Sequence, residues 1–255
     1  MSQSTERLRS RPLLDAAIPV AAAVAMGVVL SALVGAGSIP TAAGTTVGLV
    51  IPAAAALSIL RRRPPATTTA DRITLIRAVL TGGCATLVML SLVGDLPLRS
   101  WPLFALALPA WLLDGVDGWV ARRTGTASAA GARLDMETDA ALFLVLSFPL
   151  CLAVGPWVLG IGAMRYLFLV AGWVRPSLRG SLAFSSFRRV AAGIQGGVLV
   201  VALIPAIPAA TAAVATALSL VLLLTSFGRD VITLEKVHAG SVERHTARRE
   251  AGHER

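Results

Sequence analysis

Four aspartates lie inside or at the edges of apolar stretches in residues 112–146, "LLDGVDGWVARRTGTASAAGARLDMETDAALFLVL". A carboxylate in such surroundings is costly unless something neutralises it, so these residues are the first candidates for chemistry. Residues three or four apart share one face of a helix. Asp114 and Asp117 therefore form one stripe, and Gly131, Asp135 and Asp139 form another. The loop between the stripes is short and built of small residues, so an antiparallel pair of helices can bring all four carboxylates into one pocket.

Four converging carboxylates repel one another and take up protons unless a cation lies among them. Mg²⁺ or Mn²⁺ suits such a pocket, because hard cations take oxygen ligands and also bridge phosphate oxygens. Gly118 and Ala121 lie on the same stripe as the first two aspartates and leave room for a ligand against the backbone. Arg122 adds a guanidinium fork that fits a phosphate. The pattern indicates a metal-bound diphosphate.

The elements that must position these residues are strongly apolar. Of the 255 residues, 55% are hydrophobic, and the mean hydropathy is +0.74, above what a soluble domain needs. A helix that crosses the ~30 Å hydrocarbon core needs roughly 20 residues, and a backbone in lipid must satisfy its own hydrogen bonds. The sequence therefore predicts an all-α, polytopic membrane protein with about eight spans. They are expected at about 13–34, 41–60, 73–94, 101–121, 132–154, 157–174, 190–205 and 208–227.

Arginines indicate the orientation of these spans. Clusters lie at residues 7–11, 61–63, 122–123 and 175–189, whereas the alternate loops carry a single arginine, Arg99. The positive-inside rule then places both termini and every cluster in the cytoplasm. The net charge of +9 is thus a consequence of topology, and we expect no nucleic-acid partner.

A proline-containing linker, "RRRPPATTTADR", divides the chain at residues 61–72. The expected units are an N-terminal transmembrane helix pair at 1–63, a six-helix core at 71–227 and a charged cytoplasmic tail at 228–255. The N-terminal pair has no ionisable residue between Asp15 and Arg61, so we expect it to pack or dock rather than to take part in polar chemistry.

The segment "DGVDGWVARRTGTASAAGARLDMETD" reads as D-x-x-D-G-x-x-A-R, eight residues, then G-x-x-x-D-x-x-x-D. This pattern resembles the signature of the class I integral-membrane CDP-alcohol phosphatidyltransferases at every fixed position. The matching residues are Asp114, Asp117, Gly118, Ala121, Arg122, Gly131, Asp135 and Asp139. The signature lies across the second and third spans of the six-helix unit, where that family carries it.

The resemblance implies a six-helix transmembrane core, usually dimeric, and a reaction of phospholipid synthesis. A phosphatidyl group would move from a CDP-linked lipid, usually CDP-diacylglycerol, to an alcohol or phospho-alcohol, with release of CMP. The four aspartates would hold one or two Mg²⁺ or Mn²⁺ ions, and Asp139 would also act as the base for the acceptor hydroxyl. Residues implied to seat the CDP moiety are Asp114, Gly118, Ala121, Arg122 and Gly131. The site would lie on the cytoplasmic side of the plasma membrane, within reach of a water-soluble acceptor.

A second stretch, "DRITLIR", is similar to the N-x-x-T-x-x-R opening of the family's first core helix. It matches at Thr74 and Arg77 and has Asp71 where asparagine is usual. By this resemblance Thr74 is expected to contact the nucleotide. The alternative is a capped helix start with interfacial arginines.

Three further arginines are candidates for binding the acceptor. Arg165 lies in the middle of the sixth run, where an arginine needs a partner or a wet cavity. Arg188 and Arg189 precede the seventh run and either bind the phosphate of an acceptor or are ordinary positive-inside charges. The identity of the acceptor therefore stays open.

Two other functions use membrane carboxylates. A cation-coupled transporter would carry ionisable residues near the bilayer midplane, with broken helices in matching halves. An intramembrane prenyltransferase would carry two aspartate motifs far apart in sequence. Here the aspartates form one compact motif at one side of the membrane, which favours the phosphatidyltransferase.

Overall fold

The computed structural model describes residues 12–62, 67–94, 96–124, 128–174 and 186–226, with Gly228. For some residues near helix ends, 117–122 and 186–189 among them, the description covers the backbone and not the side chains. These ranges contain eight helices and no strand, in agreement with the predicted all-α class. The helices are α1 (Pro12–Leu33), α2 (Ser38–Leu60), α3 (Thr69–Val93), α4 (Trp101–Thr124), α5 (Ala129–Ala153), α6 (Val158–Val174), α7 (Ser186–Ala202) and α8 (Ala209–Ser226).

Five of these helices are long and apolar enough to cross a membrane: α1 from Leu13, α2, α3, α5 and α8. The apolar parts of the other three are shorter, at Trp101–Val116, Val158–Val170 and Val190–Ala202. Large apolar side chains on the outer faces, such as Ile39, Leu33 and Leu218, are exposed. Such a surface is stable in lipid rather than in water. The chain is an integral membrane protein, and the expected total of eight spans with cytoplasmic termini stays a prediction.

Helix α3 lies at the centre of the bundle and contacts α1, α2, α4 and α5. Its sequence "TGGCATL" is made largely of small residues, which let neighbouring helices approach closely. The main apolar core joins α3 to α4, α5 and α7. Fully buried leucines from four helices meet there: Leu87, Leu103, Leu146 and Leu199.

The N-terminal pair packs directly on α3 through a glycine crossing. A methyl group at Gly48 would lie 2.7 Å from the carbonyl oxygen of Gly82, and one at Gly82 would overlap with the carbonyl oxygen of Gly48. Thr86 Oγ1 also donates a hydrogen bond to the carbonyl oxygen of Gly44 at 3.1 Å. The backbones of α2 and α3 can approach this closely because neither glycine has a side chain.

Arg99, the single arginine of the alternate loops, binds the end of α7. Its Nε donates to the carbonyl oxygen of Ala202 at 2.7 Å, and its Nη2 donates to those of Ile204 and Ile207, each at 2.7 Å. Helix C-termini leave carbonyl oxygens without intrahelical partners, and a cation there is favourable. Arg99 therefore has a structural role, because it binds carbonyl oxygens at and just beyond the C-terminal end of α7.

Candidate active site

Three of the four predicted aspartates converge at one end of the bundle. Asp114 lies in the second half of α4, and Asp135 and Asp139 lie one turn apart near the start of α5. One carboxylate oxygen from each lies within 4.8 Å of the others. The three side chains are 40%, 34% and 30% exposed, so they are partly desolvated but still open to a ligand.

Arg77, on α3, lies among the three carboxylates and is 1% exposed. Its Nη1 donates to Asp135 Oδ1 at 2.5 Å, and its Nη2 contacts Asp114 Oδ1 at 3.0 Å and also donates to Asp139. Its Nε donates to the carbonyl oxygen of Ala110 at 3.3 Å. A single buried guanidinium thus joins α3, α4 and α5, the three helices that form the site.

Arg77 matches the sequence pattern of the first core helix, but the sequence alone did not identify it as a residue of the site. The reading of this residue as an interfacial arginine is wrong, because the side chain is almost completely buried. The signal that identifies it is general: an arginine well inside an apolar span needs a counter-charge, and the aspartates supply one. Thr74 lies one turn earlier on α3, also buried, and its Oγ1 donates to the carbonyl oxygen of Ala70 at 3.1 Å.

Gly131 lies in the first turn of α5, where space is limited. Ser128 caps this helix, because its Oγ accepts from the Gly131 N–H at 3.0 Å. A methyl group at Gly131 would lie 3.1 Å from that Oγ and 3.4 Å from Oδ1 of Asp71 on α3. The glycine therefore lets α5 begin close against α3.

Arg165, on α6, does not join the aspartate cluster. It forms an ion pair with Glu137, and its Nη1 contacts Met136 Sδ at 2.6 Å. Glu137 is the acidic residue of α5 that faces away from Asp135 and Asp139, as helical geometry predicts.

A cavity of about 390 Å³ lies between α5, α6, α7 and α8, a volume within the range of small-molecule sites. Asp139 and Arg165 both line it, whereas Asp114 and Asp135 do not. The remaining wall is largely apolar, with Phe143, Ile161 and Leu223 among its residues. Asp139 therefore faces two regions, the carboxylate cluster and this cavity.

Several predicted site residues fall on side chains outside the described part of the chain. They are Asp117, Gly118, Ala121 and Arg122 on α4, and Arg188 and Arg189 at the start of α7. Their expected roles in metal, nucleotide and acceptor binding remain predictions.

The carboxylates present suit a divalent cation. They offer three oxygen ligands from two helices, which is the donor chemistry that Mg²⁺ and Mn²⁺ prefer. Because each carboxylate is held by the same buried guanidinium, the three oxygens are already gathered at one place. The residues therefore fit the predicted metal.

Comparison with known proteins adds one finding. Residues 67–227 match the family model described as CDP-alcohol phosphatidyltransferase. The match covers α3 to α8 and so includes Arg77 and all three converging aspartates. Neither the search of curated proteins nor that of solved structures returns a match.

Proposed function

The chain belongs to the CDP-alcohol phosphatidyltransferase family, and from that premise we propose that it transfers a phosphatidyl group from CDP-diacylglycerol to an alcohol or phospho-alcohol, releasing CMP. Such a reaction belongs to phospholipid synthesis. The observation that carries the proposal is the convergence of Asp114, Asp135 and Asp139 within 4.8 Å of one another, inside the matched region.

Asp114, Asp135 and Asp139, together with Asp117, would hold one or two Mg²⁺ or Mn²⁺ ions. When bound, the metal supplies positive charge against the diphosphate of the donor and against the departing CMP. Arg77 keeps the three carboxylates together from beneath, since its guanidinium contacts all of them.

Asp139 is the proposed base for the acceptor hydroxyl. Of the three converging aspartates it is the one that lines the cavity beside the cluster, so an alcohol in that cavity can reach its carboxylate. A general base must lie within hydrogen-bond reach of the proton that it accepts. Asp139 would take the hydroxyl proton as the acceptor oxygen bonds to phosphorus.

The CDP moiety is proposed to lie on the opposite side of the cluster from the cavity. Gly131 at the start of α5 would form part of its seat, and Gly118, Ala121 and Arg122 would complete the seat on α4. Thr74 would contribute from α3. With donor and acceptor on two sides of Asp139, the transferring phosphoryl group lies between them.

The acceptor is proposed to enter the cavity between α5 and α8. Arg165 lines it with its charge paired to Glu137, and Gln195 adds a buried amide. Arg188 and Arg189, at the start of α7, would add positive charge if the acceptor carries a phosphate. The apolar remainder of the wall favours an acceptor that presents part of its surface without charge.

We place the site on the cytoplasmic side of the plasma membrane, because the positive-inside rule assigns the arginine clusters of the sequence to that side. Both termini would lie on that side, and the enzyme would act as a homodimer.

The test is CMP release by the full chain in detergent, supplied with CDP-diacylglycerol, Mg²⁺ or Mn²⁺ and a panel of alcohols and phospho-alcohols. We expect release that requires both the metal and one acceptor class. Asp139→Asn should remove at least about 99% of it, because a general base contributes roughly 10²–10⁴-fold. Asp15→Asn is the matched control, since Asp15 lies on α1, where it binds Thr67 and Arg72 outside the site.

Release that persists in Asp139→Asn would remove Asp139 from its proposed role. No release with any acceptor from a folded protein would contradict the transferase proposal. It would leave a cation-coupled transporter as the alternative use of the aspartate cluster.

A further inference from the structure

A buried arginine–aspartate pair joins the N-terminal helix pair to the start of α3. Arg62 follows α2, and its Nη1 donates to Asp71 Oδ2 at 2.8 Å while its Nη2 donates to Oδ1 at 2.9 Å. The side chains are 13% and 2% exposed. Paired hydrogen bonds of this kind fix both the distance and the orientation of the two groups.

The same carboxylate also holds the first turn of its own helix. Oδ2 of Asp71 accepts from the N–H of Thr68 at 2.8 Å and from its Oγ1 at 2.9 Å, while Thr68 Oγ1 accepts from the Asp71 N–H. This is a capping box, and it fixes the direction in which α3 begins. A buried carboxylate needs a neutralising partner, and Arg62 brings that charge from outside the matched region.

Helix α5 begins directly against this pair. Oδ1 of Asp71, the oxygen that Arg62 Nη2 binds, is the atom that would lie 3.4 Å from a methyl group at Gly131. Asp135 and Asp139 follow on the same helix, one and two turns later. The Asp71 carboxylate therefore lies beside the first turn of α5, where a change in its position would alter the space at Gly131.

We propose that the N-terminal helix pair is a working part of the catalytic unit, with Arg62 as a positioning residue for the nucleotide seat. Arg62 acts through Asp71: it neutralises and orients the carboxylate against which Gly131 packs. This inference rests on the proposed function, in which Gly131 seats the CDP moiety. The sequence of the N-terminal helix pair does not suggest this role, because it has no ionisable residue between Asp15 and Arg61.

The test measures CDP affinity by titration calorimetry in Mg²⁺, and KM and kcat for CDP-diacylglycerol in the CMP-release assay, on the full chain. Arg62→Met should weaken CDP binding and raise the donor KM about tenfold, with a smaller change in kcat, because coupled contacts of this type commonly have effects of that size. Arg72→Gln is the matched control. The Arg72–Asp15 pair also links α3 to α1, but it is 3.4 Å long and Arg72 is half exposed, so CDP affinity should not change.

A double variant separates positioning from general stability. Arg62→Met/Asp71→Asn removes both charges and keeps an oxygen that can accept from Thr68, so it should bind CDP within about threefold of the wild type. If Arg62→Met alone does not fold, CDP affinity is measured on the double variant instead. Unchanged CDP affinity and donor KM in folded Arg62→Met would overturn the inference, as would a folded double variant with affinity still reduced tenfold. If the wild type itself does not bind CDP, the proposed function fails and the inference fails with it.

Discussion

Replacing Arg77 with methionine should make the protein depend on divalent cations for its stability. The substitution keeps the length of the side chain and removes the guanidinium that contacts Asp114, Asp135 and Asp139. Breaking a buried ion pair typically costs about 3–5 kcal/mol. Because the three carboxylates are about a third exposed, water compensates part of this, and we expect a loss of about 3 kcal/mol without metal.

A bound cation should recover most of that loss. Mg²⁺ neutralises the same carboxylates, so the difference between variant and wild type should fall to about 1 kcal/mol at saturation. The recovered part, about 2 kcal/mol, corresponds to Mg²⁺ binding about 30-fold more tightly to the variant than to the wild type. In the presence of a chelator, the unfolding temperature should fall by about 6–12 °C, given roughly 2–4 °C per kcal/mol for a chain of this size.

The assay is thermal unfolding of the full chain in detergent, with a chelator and across a Mg²⁺ titration. Arg99→Met is the matched control, because it removes three hydrogen bonds to backbone carbonyl oxygens at the end of α7 and touches no carboxylate of the cluster. It should lower the unfolding temperature equally with and without Mg²⁺. If Mg²⁺ raises the unfolding temperature of Arg77→Met and wild type by the same amount, Arg77 and the metal do not share the carboxylates and the reasoning fails.

Three other substitutions test the packing and the cavity. Gly82→Val should cost at least about 3 kcal/mol of stability or prevent folding, because its side chain would overlap with the backbone of Gly48. Gly193→Ala should instead be neutral or stabilising by up to about 1 kcal/mol in thermal unfolding, because among the described residues no neighbouring element lies within 4 Å of the added methyl group. Gln195→Leu should raise the acceptor KM about tenfold in the CMP-release assay and leave the donor KM within about twofold. Gln195 lines the cavity and is 3% exposed, and its Nε2 has no hydrogen-bond partner among the described residues. An unchanged acceptor KM would place the acceptor elsewhere.

The helices and the aspartate hairpin could be predicted because their signals are local. Apolar runs end where charged residues, glycine or proline begin. The spans expected at 13–34, 41–60 and 157–174 therefore lie close to the observed helices Pro12–Leu33, Ser38–Leu60 and Val158–Val174. Helical periodicity and a short loop are enough to predict that Asp114 faces Asp135 and Asp139, and both features can be seen in the local sequence.

The contacts of Arg77 and Arg62 could not be predicted in the same way, because they depend on how α3 packs. Arg77 reaches residues 37 to 62 positions away, and only the tertiary arrangement shows that α3 lies behind both α4 and α5. The absence of ionisable residues between Asp15 and Arg61 holds for the rest of α1 and for all of α2, but it directs attention away from Arg62, which lies just beyond α2 and reaches Asp71. Helical periodicity shows which residues share one face of a helix, but it does not show which other helix packs against that face.

The charges of the described ion pairs also explain why the cation should bind at the cluster. Arg62 with Asp71, and Arg165 with Glu137, are pairs of one cation and one anion. The cluster differs, because one guanidinium contacts three carboxylates, and these four groups by themselves carry a formal charge of −2. In a partly desolvated site such a surplus is unfavourable, and a single divalent ion cancels it. Arg77 therefore joins α3, α4 and α5 without cancelling the net negative charge of the cluster, and Asp114, Asp135 and Asp139 would use that charge to hold a divalent ion.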